Sequence, residues 1–169
     1  MKRTHCMILW LSLLAAHPLS FAHGSAHKDK SDKAVQYEQQ EWGLAGAPAK
    51  VQRVVQVAMS DDMRFTPSLI KIKQGQTIRF MIHNQGSVLH EFVLGTRSVL
   101  EAHAELMKRF PDMEHDEPYM AHVMPGQTGE IVWTFNRAGE FDFACLMPGH
   151  FEAGMVGRVV VVTQKENSK

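Results

Sequence analysis

Near its C-terminal end the chain reads Cys145-Leu146-Met147-Pro148-Gly149-His150-Phe151-Glu152-Ala153-Gly154-Met155, so that four residues separate a thiol from an imidazole and four more separate the imidazole from a thioether. Thiolate and thioether are soft donors and imidazole is borderline, a combination that suits copper. Zinc favours tetrahedral sites without a thioether, which argues against it. Pro148 removes an N–H and fixes φ, and Gly149 permits a tight turn, so the loop can aim its donors inward. A second imidazole would complete the set. His90 is placed to supply it, in Val88-Leu89-His90-Glu91-Phe92 at the start of an extended segment after the Gln85-Gly86 turn. Two other readings of Cys145 stand beside this one: an inert buried small hydrophobe, and the nucleophile of a Cys–His pair, for which no orienting or oxyanion group is evident.

Donors from two distant segments need a rigid frame. From Val51 onward the sequence breaks into short runs rich in Val, Ile and Phe, divided by Gly, Asn and Pro, the pattern of an all-β sandwich. The runs predict strands at Val51–Met59, Ser68–Lys73, Thr77–His83, Glu91–Leu94, Gly129–Asn136, Gly139–Ala144 and Gly157–Thr163. One segment differs: from Ser98 to Phe110, the residues Leu100, Ala104, Met107 and Phe110 recur at helical spacing, and Pro111 ends the run. A helix is therefore expected to interrupt the sheet.

These residues resemble the cupredoxin family, the blue or green copper proteins that include azurin, plastocyanin, auracyanin and rusticyanin. The spacing of the Cys145–Met155 loop is most similar to the last two, and Met63-Arg64-Phe65-Thr66-Pro67 and the Lys73-to-Arg79 turn are further echoes. The resemblance implies a Greek-key β-sandwich of roughly eight strands, into which the helix read from periodicity is one insertion. It also implies one type 1 copper ion, with His90, Cys145 and His150 as equatorial ligands and Met155 as the axial one. Family members often carry Asn or Ser directly after the first His, where this chain has Glu91, so the hydrogen bonding around the site should differ.

The N-terminus sets the expected compartment. Lys2 and Arg3 precede an apolar run from Cys6 to Ala16, and Ser20-Phe21-Ala22 offers small residues for cleavage, the pattern of a signal peptide over residues 1–22. The run is about eleven residues, short of the roughly twenty that a spanning helix needs, so no membrane anchor is expected. Cleavage would remove two basic residues and no acidic one, leaving sixteen basic against eighteen acidic, a net charge near −2 with His neutral. That balance suggests neither a nucleic-acid partner nor a basic membrane-binding patch. Cys6 would leave with the signal, so Cys145 would have no internal disulfide partner in an oxidising periplasm. Residues 23–50 read as a flexible polar leader, 51–164 as the folded domain and 165–169 as a tail.

Eleven methionines and ten histidines are many for this length, and His103, Met107, Met113, His115, Met120, His122 and Met124 gather in one stretch. Thioethers and imidazoles bind Cu(I), so this stretch, or His23 and His27 behind a new N-terminus, offers donors for a second, weaker copper site. The plain alternatives are core methionines and solvated histidines, and His83, alternating within its strand, reads as structural. The run His90-Glu91-Phe92-Val93-Leu94-Gly95, the Met- and His-rich insertion and the Cys145–Met155 loop resemble periplasmic copper-tolerance cupredoxins, and the function this resemblance implies is copper tolerance, by binding, buffering or passing on copper to a periplasmic partner protein. The alternative is a soluble electron carrier cycling Cu(I)/Cu(II) with a redox partner. Neither reading needs more than a monomer. No enzymatic activity is expected, since the paired His-x-His motifs of multicopper oxidases are missing.

Overall fold

The computed structural model describes residues 38–111 and 116–163. The predicted signal peptide, His23, His27, Met113, His115 and the tail at 165–169 lie outside the described residues. In chain order the elements are β1 (Leu44–Ala45), a 3-10 turn (Pro48–Lys50), β2 (Arg53–Ser60), β3 (Arg64–Thr66), β4 (Leu69–Lys73), β5 (Thr77–Asn84) and β6 (His90–Gly95). There follow α1 (Arg97–Arg109), β7 (Met120–Val123), β8 (Thr128–Thr134), β9 (Gly139–Ala144) and β10 (Val156–Val162). They form two five-stranded sheets, ordered β1-β8-β5-β2-β3 and β4-β10-β9-β6-β7. Within them β2 runs parallel to β5 and β4 parallel to β10, and the other pairs are antiparallel.

Alternation along the strands decides what faces inward. From the first sheet Val55, Val57, Met59, Ile78, Phe80, Ile82, Ile131 and Trp133 enter the core, and from the second Ile70, Ile72, Phe92, Leu94, Phe141, Phe143, Val159 and Val161 meet them. Each such side chain contributes on the order of 1.5–3 kcal/mol of transfer free energy. The opposite face of the second sheet is also covered. Leu100, Ala104 and Met107 of α1 pack on Val93, Met120, Ala144 and Leu146. That is why His90-Glu91-Phe92-Val93-Leu94-Gly95 is buried at every position. Thr96 starts the helix by accepting from the Val99 N–H at 3.4 Å, and Lys108 and Arg109 complement the negative end of its dipole.

The helix lies within a residue of the span expected from its periodicity, but Phe110 is 56% exposed and does not extend the apolar face. Three strands were not apparent in the sequence: β1, β3 and β7. The reading of residues 23–50 as a flexible leader needs correction over its described part. Leu44 and Ala45 pair with Thr134 and Trp133, and Trp42 is buried. Trp42 meets Tyr119 edge-on at 5.3 Å, and its carbonyl accepts from Trp133 Nε1 at 3.0 Å. A single tryptophan and a two-residue strand in a polar run carry no periodicity, so the sequence pattern hides them.

Candidate metal centre

Two adjacent inner strands of the second sheet, β6 and β9, deliver the donors to one end of the sandwich. His90 opens β6 with the same parity as Phe92 and Leu94, and Cys145 follows β9 with the parity of Phe141 and Phe143, so both point into the core. Phe92 and Phe143 stack at 4.8 Å, and Phe65 meets Phe143 edge-on at 5.0 Å, giving the donors a stiff aromatic neighbourhood. The turn that leads into His90 is held by buried Asn84. Its Nδ2 donates to the carbonyls of Val88 and Val123, both at 2.8 Å, and its Oδ1 accepts from the Gly86 N–H at 2.9 Å.

The ligand loop closes on itself. The Cys145 N–H donates to the Met155 carbonyl at 3.1 Å, the Met155 N–H to the His150 carbonyl at 3.0 Å, and the His150 N–H to the Met147 carbonyl at 2.9 Å. Gly149 takes φ +87°, a conformation that costs other residues a Cβ clash. Arg64 Nη1 donates to the Ala153 carbonyl at 3.1 Å. The helix braces the same loop: Lys108 bridges Glu105 and Glu152, each at 2.6 Å, and the Arg97 guanidinium lies over the Phe151 ring at 5.2 Å.

Within this frame Cys145 Sγ lies 3.2 Å from His150 Nδ1 and 3.9 Å from His90 Nδ1. One ligand atom from each of the three side chains falls within 4.8 Å of the others, close enough to share one ion. His90, Cys145 and Met155 are fully buried, and His150 is partly exposed. Burial pushes the Cys145 thiol up to about 12, against smaller opposing effects of the Glu91 and Met147 backbone hydrogen bonds. Burial, and then the nearby His90, push His150 below the usual imidazole range, leaving its ring neutral and its lone pair available. A thiol and two imidazole nitrogens converging at a largely buried point are chemically suited to a soft or borderline transition metal.

Partners of these donors complete the site. The Glu91 N–H donates to Cys145 Sγ at 3.3 Å, while the Glu91 side chain turns to the helix side and pairs with His122 at 2.9 Å. His90 Nε2 faces Asp61 Oδ1 at 3.1 Å, and Asp61 Oδ2 accepts from the Ser87 N–H at 2.7 Å and hydroxyl at 2.5 Å. Hydrogen bonds from the Ser87 hydroxyl and amide, more than the one from His90, hold the Asp61 carboxyl well below the usual carboxylate range. Sequence reasoning missed Asp61. It lies in Ser60-Asp61-Asp62, a polar turn with nothing in its spacing to link it to His90.

The structure brings His90, Cys145 and His150 together and leaves Met155 buried at the end of the same loop. The Met- and His-rich stretch is dispersed where it is described. Met107 and Met120 are buried between helix and sheet, His122 engages Glu91, and Met124 is 60% exposed. His83 Nδ1 contacts the Gln127 carbonyl and Thr128 Oγ1, each at 3.1 Å, in keeping with a structural role.

A two-sheet β-sandwich that closes a Cys-His-His cluster at one end defines a cupredoxin-type metal centre. Residues 51–162 match the model of the copper-binding proteins of the plastocyanin/azurin type, and the chain belongs to that family. It is 50% identical over 147 residues to the copper-resistant cuproprotein CopI of Rubrivivax gelatinosus, covering 87% of this chain and 85% of that one. It is 33% identical over 154 residues to the protein of the same description from Pseudomonas aeruginosa, covering 72% and 83%. Among solved structures, auracyanin B superposes with a TM-score of 0.60 at 21% identity, covering 73% of this chain and 96% of that one, a likeness of fold.

Proposed function

We propose that this protein is an exported copper-tolerance cupredoxin that binds copper through His90, Cys145 and His150, with Met155 as fourth donor, and buffers it or passes it on in the periplasm. The observation that carries this reading is the convergence of Cys145 Sγ and the two imidazole Nδ1 atoms. The similarity to copper-resistant cuproproteins over 87% of the chain supports it. The bound copper supplies one-electron chemistry, cycling between Cu(I) and Cu(II).

The side chains have separate tasks. Cys145 gives up its proton to become the strongest donor, and the Glu91 N–H steadies the resulting charge on sulfur. His90 and His150 would each offer a ring nitrogen to the ion, and Met155 a weak, soft thioether. The closed loop and the helix that braces it keep the donors in one arrangement, which limits reorganisation when the charge at the site changes. The burial of three of the four keeps water out. Four donors from this chain would hold the ion, which supports a role in binding and transfer. The partner is a periplasmic copper-transfer or redox protein meeting a monomer at partly exposed His150.

Titration of the metal-free protein with Cu(I) and Cu(II), followed by visible spectroscopy, tests the site. A thiolate-to-copper absorption that disappears in Cys145→Ala supports it; its absence from wild type, or its survival in the variant, rules it out. Deleting the gene and measuring growth on copper tests the physiology. Unchanged copper sensitivity would favour the electron-carrier alternative.

A further inference from the structure

The geometry points to Asp61 as a positioning residue for the copper centre: its carboxylate fixes His90 in the tautomer that offers Nδ1 to the metal, and its charge lowers the reduction potential. This inference rests on the proposed ligation by His90.

Asp61 is remote in sequence, in the turn between β2 and β3, yet it meets a fully buried imidazole. His90 Nε2 lies 3.1 Å from Asp61 Oδ1. A carboxylate can only accept here, so Nε2 carries the proton, and in the neutral ring that metal binding requires the lone pair is on Nδ1, the nitrogen facing Cys145 Sγ. A histidine ligand whose far nitrogen donates to a carboxylate is both better oriented and more basic.

The carboxylate is held as though in a mould. The Ser87 N–H and hydroxyl both donate to Oδ2, leaving Oδ1 for His90. Gly86 provides the space: a Cβ at that position would come within 1.9 Å of Asp61 Oδ1. Asn84 in turn pins Gly86 through its N–H. Asn84, Gly86 and Ser87, within four residues of chain, thus serve one carboxylate, and the turn they make leads into His90.

The charge has a predictable effect. A negative group hydrogen-bonded to the far nitrogen of a ligand ring favours the more positive copper state, stabilising Cu(II) over Cu(I). Asp61 is 39% exposed, so solvent moderates the effect without removing it.

Three variants separate the parts. Asp61→Asn keeps an acceptor but removes the charge, Asp61→Ala removes both, and Gly86→Ala expels an intact carboxylate from its place. Two measurements suffice: the reduction potential of the copper-loaded protein, and nitrogen-15 NMR of the His90 ring in the metal-free protein. The potential should rise in all three. The His90 Nε2–H should be protected from exchange in wild type, and lose that protection in Asp61→Ala and Gly86→Ala. A wild-type potential in Asp61→Asn, or equally fast Nε2–H exchange in wild type and Asp61→Ala, overturns the inference. If the thiolate–copper absorption persists in these variants, copper ligation stands even where the role of Asp61 falls; if wild type lacks it, the ligation itself fails.

Discussion

The amide of Glu91 donates to Cys145 Sγ at 3.3 Å from the core side of β6, while the carboxylate of the same residue faces His122 on the helix side. One residue therefore supports the sulfur through its backbone and the outer packing through its side chain. Replacing Glu91 by Ala should leave the thiolate–copper absorption in place, because the N–H remains. Losing that absorption in Glu91→Ala, with the fold intact by circular dichroism, would show that the side chain supports the sulfur.

Copper loading should release a proton. Burial raises the Cys145 thiol from 9.0 to about 12, so near neutral pH the metal-free protein keeps it protonated and an ion must displace that proton. Apparent affinity should rise about tenfold per pH unit between neutrality and mild alkali, with roughly one proton released per ion. Calorimetry in two buffers of different protonation enthalpy measures this directly. The same shift makes the metal-free fold fully stable below the unfolded thiol value and progressively less so as pH climbs through the folded one. In Cys145→Ser that alkaline loss should shrink.

Met155→Leu should retain the thiolate–copper absorption and raise the reduction potential. The thioether is a weak donor that stabilises Cu(II) more than an aliphatic chain of similar size can, and the buried position accepts leucine with little repacking cost, below about 1.5 kcal/mol. Voltammetry of the two proteins decides it. An unchanged potential would remove Met155 from the donor set.

Trp42→Ala should destabilise the domain by about 3–5 kcal/mol, the usual cost of deleting a large buried ring. Chemical denaturation measures it. A loss under about 1 kcal/mol would return the segment before Val51 to the status of a leader.

The strands that frame the centre were legible because they are long enough to show alternation, and the helix because Leu100, Ala104 and Met107 repeat at its period. The cysteine loop was legible because its donors are local. His90 was found because a second imidazole was chemically required and it opens an apolar run. What stayed hidden depends on contacts distant in sequence. Trp42 finds its place against Tyr119 and Trp133, β7 is four residues in a Met- and His-rich stretch, and Asp61 reaches His90 across 29 positions. No local pattern encodes such meetings.

The strand that carries His90 is covered on both sides, by the core and by the helix. It has no tolerant face. Insertion or loss of one residue ahead of it would exchange the two sides along its length, bringing a carboxylate to the cysteine and moving the imidazole beneath the helix. For this segment a frame-preserving change of length is therefore more damaging than most substitutions, and the lineage can vary what lies on the strand far more readily than where it starts.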